Sequence, residues 1–246
     1  MYSATRVNFL VHLLPYIEQS NAYDMIDWEK QMYDTLYWGV NVPAFEAAQP
    51  VLLCPSDGFG GTHVVHPTTG QRWPRTNYLG FFNGFQIGDL SVPLRHTTTP
   101  RSPSPSILAF FDGNRVTRVR DITDGTSHTM AMGEGLSGRE NSYRGAAWAD
   151  QPCGAALHSE LGPNSALPDR CYPSDYWCEN LPELNRPAVW GDGVETDTCG
   201  SRSMHPGGVQ VLLGDGACRF VDDAIALGTW RALATIAGGE TIRAEY

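Results

Sequence analysis

Hydrophobic residues recur at steps of three and four along residues 9–38, the spacing expected for one face of a helix. Pro15 falls near the start of this stretch, where the first turn of a helix tolerates proline. A second stretch with helical spacing runs from about 226 to 237 and ends at Gly238-Gly239, a pair that stops a helix. The pattern therefore predicts a helix near each end of the chain.

Between these helical stretches the apolar residues form short runs separated by Gly, Pro, Asn and Asp, which is typical of strands joined by turns. Asp215-Gly216, between the runs 209–214 and 217–221, is the strongest hairpin signal in the chain. A helix, many short strands and a closing helix predict an α+β fold with an antiparallel sheet, in a single domain spanning 1–246. The other predicted strands are 51–54, 77–85, 106–111, 116–120, 129–134 and 146–148.

The cysteines indicate how the polar part of the chain is held together. Four of the six lie within residues 151–204, which are rich in Pro, Gly, Asn and Asp and have little apolar area to bury. No pair has the Cys-x-x-Cys spacing of zinc or redox motifs. We expect all six to form disulfides in an oxidising compartment, with 151–204 as a disulfide-braced loop insertion; the alternative is buried thiols in a cytosolic protein. The six are Cys54, Cys153, Cys171, Cys178, Cys199 and Cys218.

Fifteen pairings of six cysteines are possible, and the sequence does not select among them. The short loop between Cys171 and Cys178 favours that pair. Residues 1–16 lack the basic start and long apolar stretch of an export signal, although disulfides imply export. A chain truncated before an extracellular body would reconcile the two observations.

Composition and charge exclude several classes of partner. The 246 residues are 41% hydrophobic and carry a net charge of −10, and Lys30 is the only lysine. Nucleic acids and anionic membranes require clustered positive charge, so neither is an expected partner. No apolar run reaches the roughly 18–20 residues that cross a bilayer. A phosphate-binding loop ending in Gly-Lys is also missing from the sequence.

Several ordered segments of the chain resemble one bacterial family. They are Leu13–Gln19 (LLPYIEQ), Leu53–Asp57 (LCPSD), Thr76–Tyr78 (TNY), Asp121–Thr129 (DITDGTSHT) followed by Glu134, and His205 separated by nine residues from Asp215-Gly216. The set is similar to the prepilin-type His-x9-Asp-Gly proteins, which are pilin-like and pseudopilin-like proteins of mostly unknown function. His128 departs from the Asn that is usual in that family.

The resemblance implies a pilin-like fold, in which an N-terminal helix packs on an antiparallel sheet. It also implies an extracellular or cell-surface location and a long apolar anchor helix that this chain lacks, so that the truncated chain makes no membrane contact. The function expected from it is assembly with other pilin-like subunits or binding of a surface polymer such as a polysaccharide, without a required cofactor.

The rival hypothesis is a secreted polysaccharide-active hydrolase or lyase on the same scaffold. Glu134, Asp124 and His205 would then supply acid–base chemistry, because carboxyl and imidazole groups transfer protons near neutral pH. The structural alternative is that Asp124 belongs to an Asp-Gly turn and that His205 hydrogen-bonds the hairpin.

Two further candidate sites lie in or near the Cys-rich insertion. Asp192, Glu195 and Asp197 offer hard oxygen ligands suited to calcium, and pseudopilins often carry a calcium loop near the C-terminus; a solvated acidic loop is the alternative. An aromatic cluster could bind a sugar polymer, although aromatic residues more commonly fill cores. Its members are Trp148, Tyr176, Trp177 and Trp190.

Overall fold

The computed structural model describes residues 8–29, 49–65, 72–82, 108–111, 116–139, 142–149, 152–171, 178–190, 198–240 and 242. These residues form a mixed α+β fold with a central five-stranded sheet and a short C-terminal helix, which confirms the α+β class and the C-terminal helix predicted from the sequence. Within this part of the chain, every helix is too short or too polar to cross a bilayer.

The N-terminal helical stretch is broken into short pieces. Helix α1 spans Phe9–Leu13 and continues as a 3-10 helix over Leu14–Ile17; α2 spans Ser20–Asp24. Asn8 caps α1, because its side chain accepts a hydrogen bond from the Leu10 amide. Glu18 takes a left-handed backbone conformation and ends the first piece. The single helix predicted from 9 onward is therefore wrong over the described residues; residues 30–38 lie outside them.

The central sheet is built from strands distant in sequence. Its order is β5-β3-β4-β8-β9, and all neighbouring pairs are antiparallel except β3 and β5, which are parallel. The sheet is consequently mixed rather than purely antiparallel. Its strands are β3 (Tyr78–Phe81), β4 (Met130–Glu134), β5 (Ala156–Leu157), β8 (Gly208–Leu213) and β9 (Cys218–Asp222). Two small two-stranded sheets pair β1 (Val64–Val65) with β2 (Arg72–Trp73) and β6 (Asp169–Cys171) with β7 (Ala188–Trp190).

Local signals predicted some of these elements and not others. The β8–β9 hairpin turns at Asp215-Gly216, where Gly216 has a positive φ and Asp215 accepts from the Ala217 amide. Four predicted strands are wrong over the described residues. Residues 51–54 contribute to a 3-10 helix over Pro50–Leu52, and residues 116–120 run into another over Val119–Asp121. Residues 108–111 and 146–148 each contribute only an isolated bridge.

Both faces of the sheet are partly covered. Helix α3 (Leu227–Leu233) packs Trp230 against Phe81, with ring centroids 5.6 Å apart, in a core that also contains Val209 and Val211. Phe9 of α1 reaches β3 at Gly80, where a Cβ would lie 2.8 Å from its ring and 2.7 Å from that of Phe111. This close approach requires glycine on β3.

Two disulfides brace the predicted insertion, residues 151–204, which is more than a loop because it supplies β5 to the central sheet and both strands of the β6–β7 pair. Cys153 is bonded to Cys199 across 46 residues, and Cys171 to Cys178 across seven, as predicted for that pair. The prediction that all six cysteines are bonded is wrong, because Cys54 and Cys218 are free thiols. Cys54 is buried beside a histidine, whereas Cys218 is exposed on β9, the last strand of the sheet.

Candidate functional site

Three segments far apart in sequence bring a thiol, a carboxylate and an imidazole together. Cys54 follows the 3-10 helix Pro50–Leu52, Glu134 is the last residue of β4, and His205 lies in the turn before β8. His205 Nε2 is 3.4 Å from Cys54 Sγ and 3.1 Å from Glu134 Oε1. The ligand atoms of all three residues lie within 4.8 Å of one another. We call these three residues the Cys–Glu–His cluster.

Asn77 holds the Cys54 segment in place. Its side-chain oxygen accepts from the Cys54 amide at 2.9 Å, and its Nδ2 donates to Asp57 Oδ2 at 2.6 Å and to the Gly135 carbonyl at 2.9 Å. Asn77 is fully buried, and each of these bonds therefore forms away from water. One side chain thus links the Cys54 segment to the end of β4.

Asp57 completes this support through a buried ion pair. Its Oδ1 lies 2.6 Å from Arg186 Nη2, and its Oδ2 also accepts from the Ser137 amide at 2.7 Å. The Arg186 guanidinium lies over the Phe59 ring, 4.7 Å from its centroid. Burial lowers the pKa of Arg186, and the opposing charge of Asp57 acts against that shift. Both carboxylate oxygens of Asp57 therefore have partners within the protein, and its role is to stabilise the segment that carries Cys54.

Glu134 and His205 are oriented by neighbouring strands and turns. Glu134 Oε2 accepts from the Gln210 amide at 2.7 Å, which leaves Oε1 directed at His205. The His205 amide donates to Ser203 Oγ at 3.1 Å, and that hydroxyl donates to the Gly208 carbonyl at 2.6 Å. The β4–β8 pairing and the turn before β8 therefore fix both side chains.

The cluster is buried on one side and open on the other. Glu134 is 2% exposed and Cys54 is 7% exposed, whereas the His205 side chain is 32% exposed. Tyr78 lies directly across the β3–β4 pair from Glu134. Its pKa is raised, chiefly by burial.

The geometry does not match a nucleophile–base–acid relay. In such a relay the nucleophile and the orienting carboxylate contact different nitrogens of the histidine ring. Here Cys54 and Glu134 both approach Nε2. Three donor atoms that face a common point are instead suited to holding a cation. Two other groupings of potential ligands, around Cys153 with Cys171 and Cys178 and around Cys153 with Asp169 and Cys199, contain sulfurs already used in disulfides.

Of the proposed acid–base residues, the structure brings Glu134 and His205 together and places Asp124 elsewhere. Asp124 Oδ2 accepts from the Gly238 amide at 2.7 Å, and its Oδ1 accepts from the Gly239 amide at 3.0 Å. Asp124 lies in the turn before β4, whereas Glu134 is the last residue of β4. The two carboxylates are therefore at opposite ends of that strand.

The predicted ligand-binding aromatics have different surroundings. Trp148 is buried in the core around α1, whereas Trp190 is 60% exposed on β7. Tyr176 and Trp177 lie outside the described residues, as do the predicted calcium ligands Asp192, Glu195 and Asp197. The sequence analysis does not predict Cys54 as a site residue, because it assigns all six cysteines to disulfides. Cys54 lies outside the Cys-rich residues 151–204, within the segment LCPSD, and this position could have indicated a different role.

Fold and site together define the class of protein: a mixed α+β domain with a disulfide-braced insertion and a buried Cys–Glu–His cluster at the end of its central sheet. The chain belongs to the family described as "Protein of unknown function (DUF1559)", which matches residues 2–228. No curated protein and no solved structure matches the chain. The matched residues include the whole Cys–Glu–His cluster and the whole of residues 151–204. Because the function of the family is unknown, the function of this chain has to be argued from its own structural features.

Proposed function

We propose that this protein is an extracellular or cell-surface subunit of pilin-like architecture that binds a surface polymer, a polysaccharide, through its disulfide-braced insertion. Assembly with other pilin-like subunits is the other mode of action that the sequence resemblance implies. The observation that carries the binding proposal is the exposed Trp190 on β7, whose partner strand β6 ends at a disulfide-bonded cysteine.

The disulfides support the location. Cys153–Cys199 and Cys171–Cys178 both lie within residues 151–204, and all four cysteines are buried. Disulfides form and persist in oxidising compartments and are rare in the cytosol. Two of them in one domain therefore favour export of the chain.

Trp190 supports the mode of action. It and its neighbour Val189 are both exposed on β7, which pairs with β6. Cys171 lies directly opposite Trp190 in that pairing, and its disulfide to Cys178 restrains β6. A large aromatic side chain on a rigid support loses little conformational entropy on binding and offers a flat apolar face to a sugar ring.

The rival hydrolase or lyase has less support. Its acid–base set requires Asp124 near Glu134, but Asp124 is occupied by two backbone amides close to the C-terminal end of the described chain. Both oxygens of Glu134 also have partners within the protein. A general acid must reach a substrate, and a carboxyl group that is 2% exposed has little access to a polymer.

Retention on insoluble polysaccharides, with analysis of released sugars, tests the proposal. We expect wild-type protein to be retained without producing soluble sugars, and Trp190→Ala to lose at least tenfold in affinity. Leu167→Ala is the matched control, since Leu167 is also an exposed apolar residue of the insertion. Released oligosaccharides would favour the enzyme, and concentration-dependent oligomers without retention would favour assembly.

Calcium binding by Asp192, Glu195 and Asp197 is retained as a separate proposal. It rests on the spacing of three oxygen-bearing side chains within the insertion. An ion that binds only the folded state stabilises it, by an amount that grows with the logarithm of the ion concentration divided by Kd. Addition of Ca²⁺ to chelated protein should therefore raise the melting temperature, and no change would contradict the proposal.

A further inference from the structure

We propose that Cys54, Glu134 and His205 form a binding site for one divalent transition-metal ion of the zinc class. The ligand set is a thiolate, an imidazole nitrogen and a carboxylate oxygen, which are the three donor types that zinc uses in proteins. The site is separate from Trp190 and does not depend on the polymer-binding proposal.

The distances between the donor atoms carry the inference. With Zn–S of about 2.3 Å and Zn–N and Zn–O of about 2.0–2.1 Å, tetrahedral angles place sulfur about 3.6 Å from nitrogen and nitrogen about 3.3 Å from oxygen. The corresponding distances from His205 Nε2 are 3.4 Å to Cys54 Sγ and 3.1 Å to Glu134 Oε1. A small outward movement of the partly exposed imidazole would complete the coordination distances.

Hydrogen bonding alone does not satisfy this arrangement. His205 Nε2 carries at most one proton, so it can donate to Glu134 or accept from the Cys54 thiol, but not both. Either choice leaves one buried donor or acceptor poorly paired, which is unfavourable. A cation at the common point accepts a lone pair from all three residues.

The surroundings meet the other requirements of a metal site. Glu134 is oriented by the Gln210 amide and Cys54 by Asn77, as expected where neighbouring groups position metal ligands. A thiolate and a carboxylate neutralise the two charges of the ion, which lowers the cost of burying it. The exposed edge of His205 gives the ion a path from solvent.

The cysteine chemistry points in the same direction. In a chain that forms two disulfides, Cys54 remains a free and buried thiol. Coordination of the thiolate would give this buried sulfur a partner other than a second cysteine. Thiolate and imidazole ligands select zinc-class ions over calcium and magnesium, which prefer oxygen. Three protein ligands leave the fourth tetrahedral position to water.

Metal titration of the chelated protein, with its whole 246-residue sequence, tests the proposal. We expect one equivalent of Zn²⁺ to bind, and Co²⁺ to give the charge-transfer absorption of a cobalt–thiolate bond. Cys54→Ser should remove that absorption and weaken Zn²⁺ binding at least 100-fold, and Glu134→Gln should weaken it at least tenfold. Cys218→Ser is the matched control, because Cys218 is also a free thiol but lies outside the cluster.

A measurement on the unmodified protein guards against variants that fail to fold. Zn²⁺ should slow alkylation of Cys54 at least tenfold, as followed by peptide mass mapping, and leave the rate at Cys218 unchanged. Absence of bound Zn²⁺, equal affinity of Cys54→Ser and wild type, or equal alkylation rates with and without Zn²⁺ would each overturn the assignment.

Discussion

Asp169 is a fully buried carboxylate neutralised by two buried arginines. Its Oδ2 lies 2.7 Å from Arg144 Nη1 and 3.0 Å from Arg202 Nε, and its Oδ1 accepts from the Gly200 amide at 2.9 Å. Burial alone would raise the pKa of Asp169, but the two guanidinium groups outweigh burial and hold that pKa below its ordinary value of 3.8. Asp169→Asn removes this charge while keeping the side-chain shape.

The expected loss in free energy of unfolding is large, because the substitution leaves two buried guanidinium groups without their carboxylate partner. Removing one partner of a buried ion pair costs about 3–5 kcal/mol. Since Asp169→Asn leaves two such groups unpaired, we expect a loss near about 5 kcal/mol. In a chain of this size, each kcal/mol corresponds to about 2–4 °C in melting temperature. We therefore expect the melting temperature of Asp169→Asn to fall by about 10–20 °C.

The pH dependence gives a second test of the same ion pairs. Because the folded-state pKa of Asp169 is lowered, its stabilisation is fully present above the unfolded-state pKa of about 3.9 and is lost as pH falls through the folded value. The difference in free energy of unfolding between wild type and Asp169→Asn should accordingly be constant near neutral pH and shrink as the pH falls below about 3.9.

Urea unfolding measures both effects, with Arg139→Gln as the control. Arg139 makes an ion pair of 2.7 Å with Glu179, but its side chain is mostly exposed, so this control should lose only about 0–1 kcal/mol. An Asp169→Asn protein within about 1 kcal/mol of wild type at neutral pH would refute the reasoning, as would a difference that does not narrow in acid.

Two further predictions follow from the buried ion pair under the cluster and from the cysteine assignments. Asp57→Asn should lower the free energy of unfolding by about 3–5 kcal/mol, because it leaves Arg186 unpaired and removes an acceptor from Asn77; unfolding in urea measures the loss. Without reductant, a thiol reagent should modify Cys218 rapidly in the native protein and two thiols in the unfolded protein. Six reactive thiols, or none, would contradict the disulfide assignment.

The elements predicted correctly from the sequence depend on local signals. The β8–β9 hairpin follows from Asp215-Gly216, since the turn needs a residue that accepts positive φ. The Cys171–Cys178 bond follows from a short intervening loop. The C-terminal helix follows from apolar spacing that buries Trp230 and Leu233. In each case the residues that determine the structure are within a few positions of one another.

What could not be predicted depends on contacts across the chain. The parallel β3–β5 pairing and the Asp169 ion pairs join segments that carry no local sign of each other. Counting cysteines revealed an even number but not which sulfurs would meet, and this is why Cys54 was expected in a disulfide. The candidate site is predicted only in part. The sequence identifies Glu134 and His205 as candidate residues, but it does not predict their contact, because they are 71 positions apart.

The spacing between His205 and Asp215 has a structural explanation. The two residues flank β8, a six-residue strand that rises about 3.4 Å per residue, so they lie near opposite ends of a length of about 20 Å. Asp215 acts at the turn by accepting from the Ala217 amide, whereas His205 contacts Glu134 on the neighbouring strand. The nine intervening residues therefore set the register that brings His205 to Glu134. Lengthening β8 by one residue would exchange the faces of its side chains and separate His205 from the Cys–Glu–His cluster while leaving the Asp-Gly turn intact.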